Sequence, residues 1–396
     1  MNKDIKFKEL IESSFKGITP KYVEKSSIIV LNQKCIRNNV INYSLAQYHS
    51  DDKAVPENKF LKVGDILINS TGQGTAGRCA FVKELPENKL VTIDSHILVI
   101  RMSDFYTAGF AGYHLYNIEK LLQTFMDGST GQGEFDKQRL YNVFARLPSE
   151  NSRKSIYELL SEIDEKIALN NQINATLEQM AKTLYDYWFV QFDFPDDNGK
   201  PYKSSGGEMV YNETLKRDIP KGWEVKEIQD FCRIFTGKKD VNQASEMGQY
   251  KFFSCAPNFK YSNEKLFEGK AILVSGNGSY TGRTIFVNDA FDLYQRTYAV
   301  VSKTDLDVLE YIFYSMLRSF VPKVSGGTHG SAIPYIVFND IAKETILFHE
   351  NVVDRFMHII INIQKQVIDL SEQNYKLTEM RDWLLPLLMH EQVTVQ

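Results

Sequence analysis

Two loops of this 396-residue chain carry residue types suited to holding an anion: GQGTAGR, from Gly72 to Arg78, and GNGSYTGR, from Gly276 to Arg283. The first contains a literal GxGxxG, the dinucleotide-binding pattern, which requires a helix to open at the loop so that its first amides meet a pyrophosphate. Here the chain after Gly77 continues as RCAFV, a strand, and Gly276, Gly278 and Gly282 break the spacing in the second copy. A nucleotide cofactor is therefore not expected. Two readings remain. Either the loops are tight structural turns, or their amides and the side chains of Ser70, Thr71, Gln73, Arg78, Ser275, Asn277, Ser279, Thr281 and Arg283 approach a phosphate, with Gly72 giving the backbone close access. Two further loops invite the same pair of readings: DGSTGQG from Asp127, with Ser129 and Gln132, and SGGTHGS from Ser325, with Thr328 and His329.

Base edges in a DNA major groove are read by Arg or Lys at guanine and by Asn or Gln at adenine. Clusters of these types lie at Asn32, Gln33 and Lys34 with Arg37, Asn38 and Asn39, and at Lys238 and Lys239 ahead of Asn242 and Gln243. Each cluster is equally readable as a solvated loop. Other chemistry finds little support. The seven His show no HxxxH or HExxH spacing and the four Cys no CxxC pair, so neither a metal site nor a disulfide framework is expected. There is no phosphate-binding P-loop, no Asn-Pro-Pro-aromatic tetrad of an amino-methyltransferase and no nuclease cluster of carboxylates with lysine; PDDNGK from Pro195 reads as a turn.

The elements that would position these loops repeat. GDILINSTGQGTAGRCAFV from Gly64 has its counterpart in GKAILVSGNGSYTGRTIFV from Gly269, each a β-branched strand, a Gly-Arg loop and a second apolar strand. A helical part repeats as well. Ile156, Leu160, Ile163, Ile167, Leu177, Ala181, Leu184 and Trp188 recur in steps of four and three, the seam of a coiled coil. The second copy is Phe356, Ile360, Ile363, Val367, Leu377, Arg381, Leu384 and Leu388, with Arg381 the one departure. Asn174 and Asn374 share one seam position, where a buried amide fixes register, while Asn170 is matched by Leu370. Asn151, Ser152 and Asn351 are the expected N-caps, and each run of about 40 residues would span roughly 60 Å.

The expected organisation is a first recognition domain over 1–148, a long helix over 149–190, a connector over 191–220 that stays irregular until Trp223, a second domain over 221–348, and a second long helix with a C-terminal segment over 349–396. This is an α+β chain in which two similar domains, each a mixed, largely antiparallel β-sheet with helices, are related by a pseudo-two-fold and separated by an antiparallel coiled coil. A chain that imitates a homodimer suits a two-part target such as duplex DNA, and two divergent domains imply an asymmetric bipartite site whose spacer the helices set.

On GDILINSTGQGTAGR, DGSTGQGEFDKQRL, MAKTLYDYWFVQFDFP, GKPYKSSGGEMV, IPKGWEV and RDWLLPLLMHEQV, taken in that order, the chain resembles the specificity subunit of type I restriction-modification enzymes over essentially its whole length. One departure is that the first half has no copy of IPKGWE and begins directly with FKELIES. The resemblance implies target recognition domains that read double-stranded DNA, two methyltransferase subunits and restriction motor-nuclease subunits as partners, and no cofactor in this chain. S-adenosylmethionine, ATP and Mg would be bound by the partners, and methylation and cleavage carried out there. Tyr185, Tyr187, Trp188, Trp383, Leu384 and Leu387, at the helix ends, are the expected docking residues. The alternatives are a fused methyltransferase or nuclease chain, disfavoured by the missing motifs, and a coiled-coil scaffold without DNA specificity, disfavoured by the repeated spacing of two divergent domains.

Composition first argues against DNA binding, with 46 Lys and Arg against 50 Asp and Glu, a net charge of −4. The average conceals a segregation. Residues 1–148 carry +3 and 221–348 carry +1, while the two helical stretches carry −3 each and the connector −2. The isolated chain is expected to bind DNA weakly and with strong salt dependence. The N-terminus lacks the apolar core of a signal peptide and no apolar run reaches the roughly 18–20 residues that cross a bilayer, so a cytoplasmic protein with no membrane contact is expected.

Overall fold

The computed structural model describes residues 3–72, 74–127, 133–304, 306–325 and 334–395. The chain forms two compact units: 1–168 with 375–396, and 169–374. Each long helix contributes its two ends to different units.

In the first unit, Ser13–Lys16, Ile97–Arg101, Ile66–Asn69 and Cys79–Phe81 form an antiparallel sheet in that order. A second sheet runs Leu90–Ile93, Ile28–Leu31, Gln47–His49, Tyr22–Val23, its first pair parallel. Strand residues alternate faces, and here both faces of the first sheet are covered. Leu67, Ala80, Ile97 and Val99 pack in a core shared with Leu31, Val91 and Ile93 of the second sheet. Ile66, Ile68, Leu98 and Ile100 point the other way, onto helix Phe105–Asn117 and the buried Ile156, Tyr157, Leu160, Leu385, Leu388 and Met389 of the long helices. That double burial is why ILI of Ile66–Asn69 and ILVI of Ile97–Arg101 read as unbroken apolar runs. The strand Lys3–Lys6 pairs with Phe144–Leu147, so the opening strand forms without the IPKGWE segment.

The second unit is built from the same parts. Glu224–Glu227 pairs with Thr345–Phe348, and a six-stranded sheet runs Cys232–Thr236, Thr297–Ser302, Phe267–Ser275, Thr284–Leu293, Tyr250–Phe253, Lys260–Ser262. Its one parallel pair is Tyr250–Phe253 with Thr284–Leu293. Ile272, Val274 and Val300 face Leu309–Ser315 and the long helices, while Ala271, Leu273, Ala299 and Val301 face Phe291 and Leu293. The segment 191–220, expected to be irregular, folds instead. Met209–Asn212 and Arg217–Pro220 form a hairpin, and Phe192, Phe194 and Ile219 are buried beside Trp223, because three large apolar side chains in a polar stretch need a core to cover them.

The first long helix spans Glu150–Tyr185 and ends in a π turn, Asp186–Val190; the second spans Glu350–Met389. Their starts differ from expectation. Ser149 caps the first, its Oγ accepting from Ser152 N at 3.2 Å, while Asn151, Ser152 and Asn351 lie inside the helices. The helices run antiparallel in both units. In the second, Asn170 Nδ2 donates to Gln373 Oε1 (3.1 Å) and Asn374 Oδ1 (2.9 Å), Asn374 Nδ2 to Asn171 Oδ1 (2.9 Å) and Asn174 Nδ2 to Ser371 Oγ (3.1 Å). Asn174 and Asn374 thus do bond across the seam, and Asn170, 0 % exposed, sits at the centre of the crossing. In the first unit, Arg381 reaches Asp164 across the pair at 3.0 Å. No helix among the described residues is long and apolar enough to cross a membrane.

Candidate nucleic-acid interface

The Gly-Arg loops are shaped by close backbone approaches. Gly77 and Gly282 both have φ +83°. A Cβ at Gly77 would lie 2.7 Å from Gln123 N, and one at Gly282 would lie 2.9 Å from Val324 Cγ2. In both units the glycine before the arginine is therefore where the sheet passes a helix end. The chain then enters strand Cys79–Phe81 or Thr284–Leu293, so no helix opens at either loop.

Around each loop, other candidate segments converge. In the first unit, Gln33 Nε2 donates to Thr71 Oγ1, Thr75 Oγ1 donates to Gln33 Oε1 (3.2 Å), and Thr71 Oγ1 is hydrogen-bonded to His96 Nδ1 (2.9 Å). This lashes the segment after strand Ile28–Leu31 to the Gly72 loop. Beyond it, Ile36–Arg37 and Val40–Ile41 form a hairpin whose turn is Asn38 (φ 53°) and Asn39 (φ 60°), a primed two-residue turn that asparagine accommodates. Lys34, Arg37 and Asn38 are all exposed on this projection. The flank of the downstream loop docks at the same place, Phe135 N donating to Ser70 O at 2.8 Å.

In the second unit, Ile336 N donates to Gly276 O (2.9 Å) and Gly278 N to Pro334 O (3.1 Å), the same docking of a downstream flank. The segment after strand Tyr250–Phe253, the counterpart of the one holding Gln33, is fastened by Cys255 Sγ to Asn277 Oδ1 (3.2 Å) and by Ser275 Oγ to Cys255 O (3.2 Å). The structural equivalent of the Lys34 cluster is thus Ser254–Asn258. Lys238 and Lys239 lie on a different loop.

Several candidates turn inward. Ser70 and Ser275 are buried, and Thr281 Oγ1 is spent on Gly278 O and Pro334 O. Lys239 is gripped by Asp292 (2.7 Å) and Glu264 (2.9 Å), hydrogen bonds that hold its pKa above the usual lysine value. The Arg283 guanidinium faces the Ala256 and Pro257 carbonyls, and burial draws its pKa down. Arg78 is half-buried, its charge facing Glu119. These residues build the loops instead of presenting them. Thr71, Gly72 and Asn277 are half-exposed, and Ser279 and Lys238 exposed. Gln73, Ser129, Gln132, Thr328 and His329 fall outside the described residues. The sequence missed Thr75, a variable position inside the glycine loop, His96, which no motif marks, and Gln295 and Arg296, exposed on the turn beside Gly276.

The expected docking residues divide. Tyr185 (7 % exposed) and Trp188 (5 %) are buried in the second unit against Phe356, Phe189 and Tyr311, so they are core and offer a partner no surface. Tyr187 is exposed and, with Met180, Leu184, Ile359 and Ile363, lines an apolar groove on the helix pair. In the first unit Trp383 is 65 % exposed, whereas Leu384 and Leu387 are half-buried, next to the core residues Leu385 and Leu388. No group of three or more His, Cys, Asp and Glu among the described residues could hold a metal ion.

A model of the type I restriction modification DNA specificity domain matches residues 2–179 and 220–373. The chain is 25 % identical over 307 residues to the type I restriction enzyme MjaIX specificity subunit of Methanocaldococcus jannaschii, covering 72 % of this chain and 69 % of that one. It is 23 % identical over 414 residues to the HindI specificity subunit of Haemophilus influenzae, covering 85 % and 88 %. The crystal structure of a type I restriction-modification S subunit from M. genitalium superposes with a TM-score of 0.63 over 98 % of this chain and 96 % of that one; at 12 % identity this is a likeness of fold.

Proposed function

The chain belongs to the family of type I restriction modification DNA specificity domains, and from that premise we propose that it is the DNA-reading specificity subunit of a type I restriction-modification complex, each unit addressing one half of an asymmetric bipartite site. The observation that carries the reading is the convergence, in both units, of a Gly-Arg loop, a strand-end segment and the flank of a second loop on one edge, with exposed Lys, Arg, Asn and Gln around it. Rigid loops with protruding polar side chains supply the two layers of DNA recognition, phosphate contacts that fix position and base contacts that specify. The paired helices set the spacer. Their apolar groove at Tyr187 and the exposed Trp383 dock two methyltransferase subunits, and restriction motor-nuclease subunits join that complex in the cytoplasm. S-adenosylmethionine, ATP and Mg belong to those partners, and this chain neither methylates nor cleaves.

Genome-wide mapping of methylated positions tests this. Replacing residues 1–148 by those of another family member should change one half of the methylated motif and leave the other intact. A motif unchanged by the exchange would refute the reading.

A further inference from the structure

The second unit lacks a cation where the first has its own. The projection after Ile28–Leu31 carries Lys34 and Arg37, but its counterpart, Ser254–Asn258, has no charged residue. Most lysines and arginines around it are already engaged. Lys239 is on Asp292 and Glu264, Lys251 on Asp289, Lys260 on Glu246, and Arg283 on backbone carbonyls. Arg296 is different. It is exposed, and among the described residues it forms no ion pair.

Its backbone, by contrast, is tied to several loops. Gly276 N donates to Arg296 O (2.9 Å), and Cys255 Sγ lies 3.4 Å from the same oxygen. Gln295 N donates to Lys239 O (2.9 Å) and Gln295 Nε2 to Asp240 Oδ2 (3.1 Å), while Thr297 N closes the turn on Tyr294 O (3.0 Å). Three loops, 238–243, 254–258 and 276–282, therefore fix one turn, and a Cβ at Gly276 would lie 2.3 Å from Arg296 O. A side chain on so rigid a base loses little further freedom on binding. At the matching turn the first unit has Ser95 and His96, and His96 is held by Thr71.

We propose that Arg296 reads a guanine in the half-site addressed by the second unit, its planar fork donating to the O6 and N7 acceptors of the major-groove edge. The inference rests on the DNA-reading function above. Lys238, exposed on the neighbouring loop, has a compact ammonium better suited to a phosphate.

The test uses the full chain assembled with its methyltransferase partner, with methylated motifs mapped by sequencing and DNA binding titrated against salt. Arg296→Ala should relax one base pair in one half of the motif, with about a ten- to hundred-fold loss of discrimination there and the other half unchanged. Arg296→Lys should keep the guanine preference in weakened form. Uniform weakening with an intact motif would make Arg296 a phosphate contact and overturn the proposal, as would intact affinity and motif. If the wild-type complex methylates no motif that depends on this chain, the DNA-reading function itself fails, a result distinct from the failure of Arg296 alone. Thermal melting of each variant with its wild-type midpoint confirms that the fold is retained, as an exposed position predicts.

Discussion

The same position in the two units is occupied by opposite chemistry. In the first, Tyr113 Oη donates to Asp164 Oδ2 (2.6 Å), and Arg381 binds Asp164 Oδ1 (3.0 Å) and Tyr116 Oη (3.1 Å). In the second, Tyr314 Oη donates to Gln364 Oε1 (3.0 Å), and the seam residue matching Arg381 is the buried Ala181. At this position one domain is thus fastened to its helix pair by a mostly buried ion pair and the other by a neutral hydrogen bond, its own ion pair to the helix, Arg318 with Asp186 (2.7 Å), lying exposed elsewhere. Burial and the adjacent Asp164 carboxylate hold the Tyr113 hydroxyl far above the usual tyrosine range. The lesson concerns interpretation of a broken repeat. Arg381 looks like a fault in an apolar seam, yet it marks where the two halves ceased to be interchangeable: a copy of the first helix set against itself would place Ala181 opposite Asp164 and leave that carboxylate only Lys83, 3.8 Å away.

The largest expected effect comes from breaking the charged fastening. Arg381→Ala leaves Asp164 only the more distant Lys83 (3.8 Å) and should lower stability by about 3 kcal/mol, since removing the close partner of a mostly buried pair costs more than the pair contributes. Urea unfolding of the full chain should show it, with hydrogen exchange locating the loss in the first unit. Protection lost equally from both units would break the comparison.

Acid should separate the units next. His114 is 7 % exposed, and burial, reinforced by His390, lowers its pKa from 6.5 to about 4. The matching residue in the second unit is the buried Ser315. The depressed value means that the unfolded chain binds a proton first, so stability is full above pH 6.5 and is lost as pH falls toward 4, by about 1.4 kcal/mol per pH unit and up to about 3 in all. Hydrogen exchange at pH 7 and pH 5 should show the first unit loosening, and His114→Ser should remove that slope. An unchanged slope would assign it to other groups.

The glycine approaches offer a smaller contrast. Gly77→Ala meets backbone at Gln123 and should cost about 2 kcal/mol, whereas Gly282→Ala meets the Val324 side chain first, which can shift, and should cost about 1. Equal melting-temperature losses would show that the shared positive φ dominates. Smallest is the neutral fastening: Gln364→Ala should cost about 1 kcal/mol, a hydrogen bond's worth. A loss matching that of Arg381→Ala would erase the distinction drawn between the two fastenings.

How far the sequence was legible follows from how local each signal is. The long helices, the seam and the crossing asparagines were visible because helical periodicity is written in residues three and four apart. The Gly-Arg loops were visible because positive φ selects glycine. Trp188 and Tyr185 were misjudged as surface. They follow the helical pattern faithfully, but Phe356 and Tyr311, whose rings cover them, lie far along the chain. For Ser70, Ser275, Thr281, Lys239 and Arg283 the sequence left two readings open, since a polar side chain beside a glycine loop can equally hold that loop together.

By itself, then, the sequence determined the two-fold repetition of parts, the antiparallel seam, the segregation of charge and, through its motifs, the family. Only the tertiary structure decided which cations, among the described residues, are committed to carboxylates and which stand exposed. Whether Lys239 is a contact or a brace depends on Asp292, and whether Arg296 is presented depends on three loops meeting beneath it. Hydrogen bonds and ion pairs are satisfied through space, and no periodicity along the chain reports which partner arrives.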